Sequence, residues 1–357
     1  MTLGTFFLAA AVAAVVTPGV RRLPYLVALP VPDRWHSRTT PVTGGIALFV
    51  ALLVALQPAL VGGRVNGAYL PVVLGAAAAF ALGLWDDGRP MPAAVKFAGQ
   101  FAIASAAAAA GVRPDWLPVA VAAPVAVLIL VACMNSVNLL DNMDGLAAGA
   151  TVVASLGLAV LASVGPGSSS PVVPAAVAGA CCGFLPYNYR LRRPAWLFMG
   201  DSGSHMLGFM LGGLAVLATP GGAGGVAAAV LAPLLVLALP ALDTALVMIV
   251  RFAEGRPLSQ GGRDHTSHRL VYRGFGERGA VALLILVGAL SSASAVVVVV
   301  VADPLMTALV GGVSLAALVA FGTRLATSTS TTGTTTVVPL RALPGPDDRS
   351  SDNAAVR

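Results

Sequence analysis

Apolar residues run in long blocks along the chain, and polar residues gather in the gaps between them. A helix needs roughly 20 apolar residues to cross about 30 Å of hydrocarbon at 1.5 Å rise per residue. Blocks near that length lie at 2–18, 42–61, 69–85, 93–111, 117–135, 145–164, 171–187, 203–219, 225–250, 279–301 and 304–322. The pattern predicts an all-α polytopic membrane protein with about eleven transmembrane helices, a multi-span domain over 1–324. Several blocks are rich in Ala and Gly, which suits close helix–helix packing in lipid. Residues 325–357 are rich in Thr, Ser, Pro and Asp, cannot bury a core, and read as a disordered cytoplasmic tail.

Composition strengthens this reading. Hydrophobic residues make up 57% and charged residues 10% of the chain, against about 25% charged in soluble domains. Lipid must therefore replace water over most of the surface. The net charge of +6 matters through its placement on loops and not as a sign of nucleic-acid binding. Arg21 and Arg22 follow the first apolar block and nothing basic precedes it, so the block is a first span with Met1 outside, not a secretory signal. With eleven spans, all of the 21 Lys and Arg residues except Arg64 and Arg113 then fall on the cytoplasmic side, the C-terminus included. One miscounted span would flip every later loop and destroy that bias. Cys133, Cys181 and Cys182 sit in apolar blocks, and read as small buried hydrophobes.

The same inward side carries the chemistry. It holds all four histidines and all of the 15 acids except Asp115 and Asp303. Ionisable groups at the mouth of a helix bundle are costly to bury, which marks them as functional candidates. Asp86 and Asp87 are adjacent carboxylates that need a cation or good hydration nearby; a solvated helix cap is the alternative. Asn138, Asp141 and Asp144 fall at i, i+3 and i+6, on one side of a helix, as oxygen donors for a hard divalent cation or a polar ligand; a capped re-entrant turn is the alternative. Asp201 stands among small residues in Gly200-Asp201-Ser202-Gly203-Ser204-His205, which let backbone approach a ligand, or else it is a simple helix cap. His265 and His268 lie between Arg263 and Arg269, with no third zinc ligand at a usual spacing; arginines beside them point to phosphate, against the alternative of a solvated basic loop. Together these groups suit phosphoryl transfer, which needs a metal to neutralise phosphate oxygens and donors to place them.

These clusters resemble, in order and over nearly the whole chain, the polyprenyl-phosphate N-acetylhexosamine-1-phosphate transferase family, glycosyltransferase family 4. The resemblance rests on Asp33-Arg34-Trp35-His36, Pro41-Val42-Thr43-Gly44-Gly45, Asp86-Asp87 with Lys96, Asn138-x-x-Asp141-x-x-Asp144-Gly145, Phe198-Met199-Gly200-Asp201, Pro240-x-x-Asp243-Thr244 and His265-x-x-His268. It implies transfer of a sugar 1-phosphate from a UDP-sugar to a polyprenyl phosphate, with release of UMP, in the bacterial inner (plasma) membrane. It implies Mg²⁺ or Mn²⁺, with Asp201, Asp141 and Asn138 as metal ligands. It makes Asp86, Asp87, Asp201, His265 and His268 catalytic candidates. Lys96, Asn138, Asp141, Asp144, Asn188, Phe198, Arg263 and Arg269 become substrate-binding candidates, Phe198 as a stacking partner for uracil. A homodimer is a further expectation, and no nucleic-acid partner is expected.

The last loop has a histidine at each end of a four-residue motif, similar to the UDP-N-acetylglucosamine branch and unlike the three consecutive histidines of the phospho-N-acetylmuramoyl-pentapeptide branch. Ser267 stands where that branch usually has histidine, Asn142 where glycine is common, and His205 where an apolar residue is usual. These departures bear on which sugar is carried. A secondary transporter is the competing class; it would place carboxylates near the bilayer midplane, where only Asp243 qualifies. A catalytically silent lipid-binding homologue is disfavoured by the intact Asp86, Asp87, Asp141, Asp144 and Asp201.

Overall fold

The computed structural model describes residues 2–23, 26–29, 38–63, 65, 67, 69–164, 170–218, 225–258 and 261–327. The motif at 33–36 and the stretch from 328 onward, most of the expected tail, lie outside the described residues. Every apolar block falls on helix. In order these are α1 (Thr2–Val20), α2 (Gly44–Val61), α3 (Tyr69–Gly88), α4 (Ala93–Ala109), α5 (Val119–Leu140), α6 (Leu146–Val164), α7 (Val172–Asn188), α8 (Gly200–Leu217), α9 (Gly225–Val236), α10 (Ala238–Ala253), α11 (Thr266–Tyr272), α12 (Glu277–Val301) and α13 (Pro304–Ala326). The last of these runs on to Ala326, past the expected start of the tail.

The protein is a multi-pass membrane protein, but its helices are unequal. Among the described residues seven are long and apolar enough to cross by themselves: α1, α2, α3, α5, α6, α12 and α13. Helices α4 and α7 have 17 residues each, shorter than a full crossing. Helix α8 carries Asp201 and further polar residues in its first turns, and is not among the seven. The block at 225–250 is not one straight span. It breaks at Leu237 into α9 and α10, bent by 77°. Pro240 explains the break: it has no N–H for the carbonyl of Val236, four residues back, and its ring crowds that carbonyl.

Helix α8 is the buried centre. Every residue from Ser202 to Val216 is buried, and α2, α3, α5, α6, α7 and α9 all pack against it. Glycines let those backbones come close. A Cβ on Gly208 would lie 2.4 Å from the Cys133 carbonyl oxygen of α5, and one on Gly83 of α3 would lie 2.4 Å from the Asp201 carbonyl oxygen. On the far side of the bundle, Gly179 and Gly183 of α7 admit the Phe6 and Ala10 carbonyls of α1 in the same way. Small residues at such crossings replace hydrophobic drive, which lipid does not supply between helices.

A small antiparallel pair, β1 (Val27–Ala28) and β2 (Thr40–Pro41), sits before α2. It extends onto the segment leading into α8: the Phe198 N–H donates to the Pro41 carbonyl at 2.8 Å, and the Gly44 and Gly45 N–H groups donate to the carbonyls of Phe198 and Met199 at 2.9 Å each. A Cβ on Gly45 would lie 2.4 Å from the Ser202 hydroxyl, so the paired glycines follow from this close approach.

If the α3–α8 crossing fixes the fold, Gly83→Ala should cost about 1–3 kcal/mol as overpacking against backbone. Gly279→Ala on α12, where no atom lies within 4 Å of the added carbon, should be neutral or slightly stabilising. Thermal unfolding of the two variants in detergent checks this; equal melting temperatures would refute the crossing as a tight point.

Candidate active site

The site grows from the same crossing. Asp87 lies one turn beyond Gly83 on α3, which carries its carboxylate to the start of α8. Its two oxygens accept the N–H groups of Asp201, at 2.8 Å, and Ser202, at 3.0 Å. The first N–H groups of a helix have no partner within the helix, and a carboxylate there also meets the positive end of the helix dipole. Asp87 thus caps α8 from a neighbouring helix. Gly200, at φ +71°, is the turn that makes room: a Cβ there would lie 2.7 Å from the Asp87 carboxylate.

Asp86, next to it, turns elsewhere. One oxygen accepts the Met91 N–H at 2.7 Å, and the other pairs with the Lys96 ammonium of α4 at 2.5 Å. Lys96 also pairs with Asp201, so one ammonium joins carboxylates from α3 and α8. All three side chains keep some exposure, 12% for Asp86, 19% for Lys96 and 28% for Asp201, so the cluster is open at one side. The Asn138 amide of α5 donates to Asp201 at 2.9 Å and to the Ser204 hydroxyl at 3.0 Å. Deeper between α4 and α5, buried Gln100 accepts from the Asn135 amide at 2.7 Å. His205, fully buried, donates from Nδ1 to the Asp201 carbonyl at 2.7 Å.

The rest of the Asn138-x-x-Asp141-x-x-Asp144 motif forms the turn after α5. Asp141 closes that helix as its cap residue. Gly145, at φ +80°, turns the chain into α6, and its N–H donates to the Asn188 side chain at 2.9 Å. Asn188 in turn donates to the Leu197 carbonyl at 3.1 Å, and Asp144 accepts the Ala195 N–H at 2.7 Å. Asp144 and Asn188 therefore hold the segment that delivers partly buried Phe198 and Asp201.

The last loop is anchored from inside the membrane. Asp243 of α10 is fully buried. One of its oxygens accepts His265 Nδ1 at 2.8 Å; the other accepts the Thr266 N–H at 2.8 Å and its hydroxyl at 2.7 Å. The Ser267 hydroxyl donates to the Asn142 side chain at 2.6 Å, tying this loop to the turn after α5. Two of the three departures from the family pattern, Ser267 and Asn142, are thus partners. The His265 and His268 rings meet edge to face at 5.4 Å. Burial, helped by the nearby His265, pushes His268 down to about 3, so its ring is neutral at physiological pH and offers no positive charge to a phosphate. Burial alone would raise Asp264, but hydrogen bonds from Arg256 and Arg251 outweigh it and hold its carboxyl below the usual range. Arg263 is exposed. Arg269 instead faces packing: it donates to the carbonyls of Asp264 at 3.0 Å, Leu325 at 3.0 Å and Ala326 at 3.2 Å, as a cation suited to the C-terminal end of α13.

The structure therefore brings Asp86, Asp87, Lys96, Asn138 and Asp201 together, with Phe198 at the entry to α8. It puts His265 and His268 in a second group, coupled to the first through Ser267 and Asn142. Asp243, Ser204 and Gln100 were not among the residues singled out for the site. Asp243 carried a signal, a lone acid inside an apolar block; Ser204 stood in the small-residue stretch around Asp201, and Gln100 carried none. Among the described residues no three His, Cys, Asp or Glu side chains gather as a ready metal site. The set around Asp201 still fits Mg²⁺, a hard cation that takes oxygen donors and commonly binds through one or two carboxylates with substrate phosphates. Asp86 and Asp201 are two such carboxylates, already converging on one cation, the Lys96 ammonium.

Residues 69–219 match the family described as glycosyl transferase family 4. That stretch spans α3 to α8, and so includes every member of the first group. A Mycolicibacterium smegmatis protein named decaprenyl-phosphate N-acetylglucosaminephosphotransferase is 36% identical over 317 residues, 78% of this chain and 77% of its own. A Bacillus subtilis protein named probable undecaprenyl-phosphate N-acetylglucosaminyl 1-phosphate transferase is 29% identical over 296 residues, 79% of this chain and 81% of its own. A phospho-N-acetylmuramoyl-pentapeptide-transferase of Chlamydia muridarum is 50% identical, but over 105 residues and 29% of this chain. With similarity that spans most of both chains and a carboxylate–lysine cluster lying wholly inside the matched stretch, this chain belongs to glycosyl transferase family 4.

Proposed function

We propose that the chain transfers N-acetylglucosamine 1-phosphate from its UDP-sugar to a polyprenyl phosphate, at the cytoplasmic face of the bacterial plasma membrane. The observation that carries this reading is the Asp86–Lys96–Asp201 cluster, formed at the ends of three apolar helices and open at one side. In the reaction an oxygen of the lipid phosphate attacks the sugar-linked phosphorus. A new P–O bond forms, the bond from that phosphorus to the oxygen of UMP breaks, and UMP leaves with the electron pair. The relatives' names carry the acceptor lipid and the sugar; the single histidines at each end of the last-loop motif favour the same branch.

Each side chain then has a task. Asp87 fixes the start of α8 and so the position of Asp201. Asn138 holds Asp201 from the α5 side. Lys96 offsets the repulsion between Asp86 and Asp201 and is a cation for an incoming phosphate. Mg²⁺, held by Asp201 and Asp86 with Asn138 and phosphate oxygens, would supply charge neutralisation across the diphosphate. His265 and Arg263 are the last-loop side chains that could meet the leaving phosphate.

The transporter reading finds one supporting feature, the broken α9–α10 pair. The deep carboxylate it needs is Asp243, and both oxygens of Asp243 are already committed to the last loop. That leaves no free coupling carboxylate there.

The test is release of UMP by purified protein given polyprenyl phosphate, Mg²⁺ and a panel of UDP-sugars. Turnover with UDP-N-acetylglucosamine above the other sugars is expected; UMP release with none of them would sink the reading. Asp201→Asn, which keeps shape and removes charge, should lower kcat by about 10²-fold or more while the melting temperature holds. Near-normal turnover at saturating Mg²⁺ would exclude Asp201 as an essential ligand. Orientation is checked separately. Reporters placed at Arg113 and after Arg324 should read external and cytoplasmic, as the placement of all basic residues but Arg64 and Arg113 requires. A cytoplasmic signal at Arg113 would overturn the eleven-span topology.

A further inference from the structure

A fully buried carboxylate in a membrane helix is expensive unless its hydrogen bonds are complete. Asp243 completes them with two neighbouring residues of the last loop. One oxygen takes both the N–H and the hydroxyl of Thr266, at 2.8 and 2.7 Å, and this alone would pin the start of α11. The other oxygen is given to His265 Nδ1 at 2.8 Å, which anchoring does not need. An ionised carboxylate only accepts, so Nδ1 must be the protonated nitrogen of that ring.

We propose that Asp243 is a positioning residue that fixes the tautomer and aim of His265, making Nε2 the nitrogen that meets the diphosphate of the substrate. The identity of that partner rests on the function proposed above. With Nδ1–H committed to Asp243, Nε2 carries a lone pair on the neutral ring. It can donate to a phosphate oxygen only when the ring is charged, so that bond is charge-assisted. Removing the carboxylate reverses the arrangement. In Asp243→Asn the amide oxygen keeps the two bonds from Thr266, and the amide NH₂ faces Nδ1. An NH₂ cannot accept, so the ring moves its proton to Nε2 and becomes a neutral donor.

The experiment compares three variants of the full-length chain by UMP release and by ¹⁵N NMR of histidine-labelled protein in lipid nanodiscs. His265→Asn, whose amide can still donate to Asp243 but which has no Nε2, identifies the His265 signals by their loss. In wild type those signals should report Nδ1–H; in Asp243→Asn they should report Nε2–H. Turnover of Asp243→Asn should fall at least about tenfold, with KM for the UDP-sugar within about threefold, the pattern of exchanging a charged for a neutral hydrogen bond in the transition state. Thr266→Val removes one anchoring bond and leaves His265 untouched; it should lower the melting temperature and keep kcat within about threefold. Wild-type turnover in Asp243→Asn, or an equal loss of kcat in Thr266→Val, would reduce Asp243 to a loop anchor and overturn the proposal. Should Asp243→Asn fail to fold, His265→Asn decides, because near-normal kcat there leaves Nε2 without a role. A wild-type protein that releases no UMP defeats the proposed function instead, and the tautomer seen by NMR stands apart from that result.

Discussion

The first turn of α8 packs against α2, α3 and α5, and from Ser202 onward it is buried. Something must accept from its backbone N–H groups, since an unmet donor in a low-dielectric interior costs more than a hydrogen bond gains. Asp87 of α3 does this for Asp201 and Ser202 together. The rest of the site follows from that one contact. It demands that α3 and α8 cross closely, hence Gly83; that the chain enter α8 through a left-handed turn, hence Gly200; and that the entering segment be held flat against α2, hence Gly44 and Gly45. With α8 so fixed, Asp201 has one place to be, between Lys96 and Asn138.

The second group is coupled to the first by chain geometry and not by proximity of charge. Asn138 stands near the end of α5, and Asn142 in the turn that follows it. The first holds Asp201; the second accepts from Ser267 in the last loop. A movement of the α5 terminus must therefore be felt by both the carboxylate cluster and the histidine loop. The 77° break between α9 and α10 serves the same end, because it lets a short helix carry Asp243 to the underside of that loop.

Much of this was legible in the sequence, and the limits are physical. Block lengths gave the helices, since lipid tolerates little else, but not which of them cross fully: α4 and α7 are short, and a proline-induced bend looks like an unbroken apolar run at 225–250. Spacing placed Asn138, Asp141 and Asp144 on one side of a helix. It did not show that α5 ends at Asp141, so that Asp144 turns away to hold Ala195 and Asn188 joins it. Arg269 read as a phosphate ligand because it neighbours histidines; two of its three carbonyl partners lie at the end of α13, more than fifty positions on in the chain, and no local pattern encodes that. The partnership of Asn142 with Ser267 is likewise a contact between distant segments.

A wider rule emerges from where the aspartates put their oxygens. Asp86 accepts from the Met91 N–H, Asp87 from Asp201 and Ser202, Asp144 from Ala195, Asp243 from Thr266, and Asp303 from Met306. Asp87, Asp243 and Asp303 accept from first-turn N–H groups of α8, α11 and α13, and Asp86 and Asp144 from N–H groups of the loops after α3 and α7. A chain with so few charges thus uses these five carboxylates as backbone acceptors, whatever chemistry some of them also perform in the proposed reaction. This changes how substitutions at the motif aspartates are to be read. Alanine removes a cap and a charge together, so lost activity says nothing about which mattered. Asparagine keeps one acceptor oxygen. It also turns an NH₂ toward one of the two former donors; at Asp201 these belong to the Lys96 and Asn138 side chains, which can shift, whereas at Asp87 they are the fixed backbone N–H groups of Asp201 and Ser202. A large loss in Asp201→Asn therefore speaks for charge, whereas the same loss in Asp87→Asn speaks first for the position of α8.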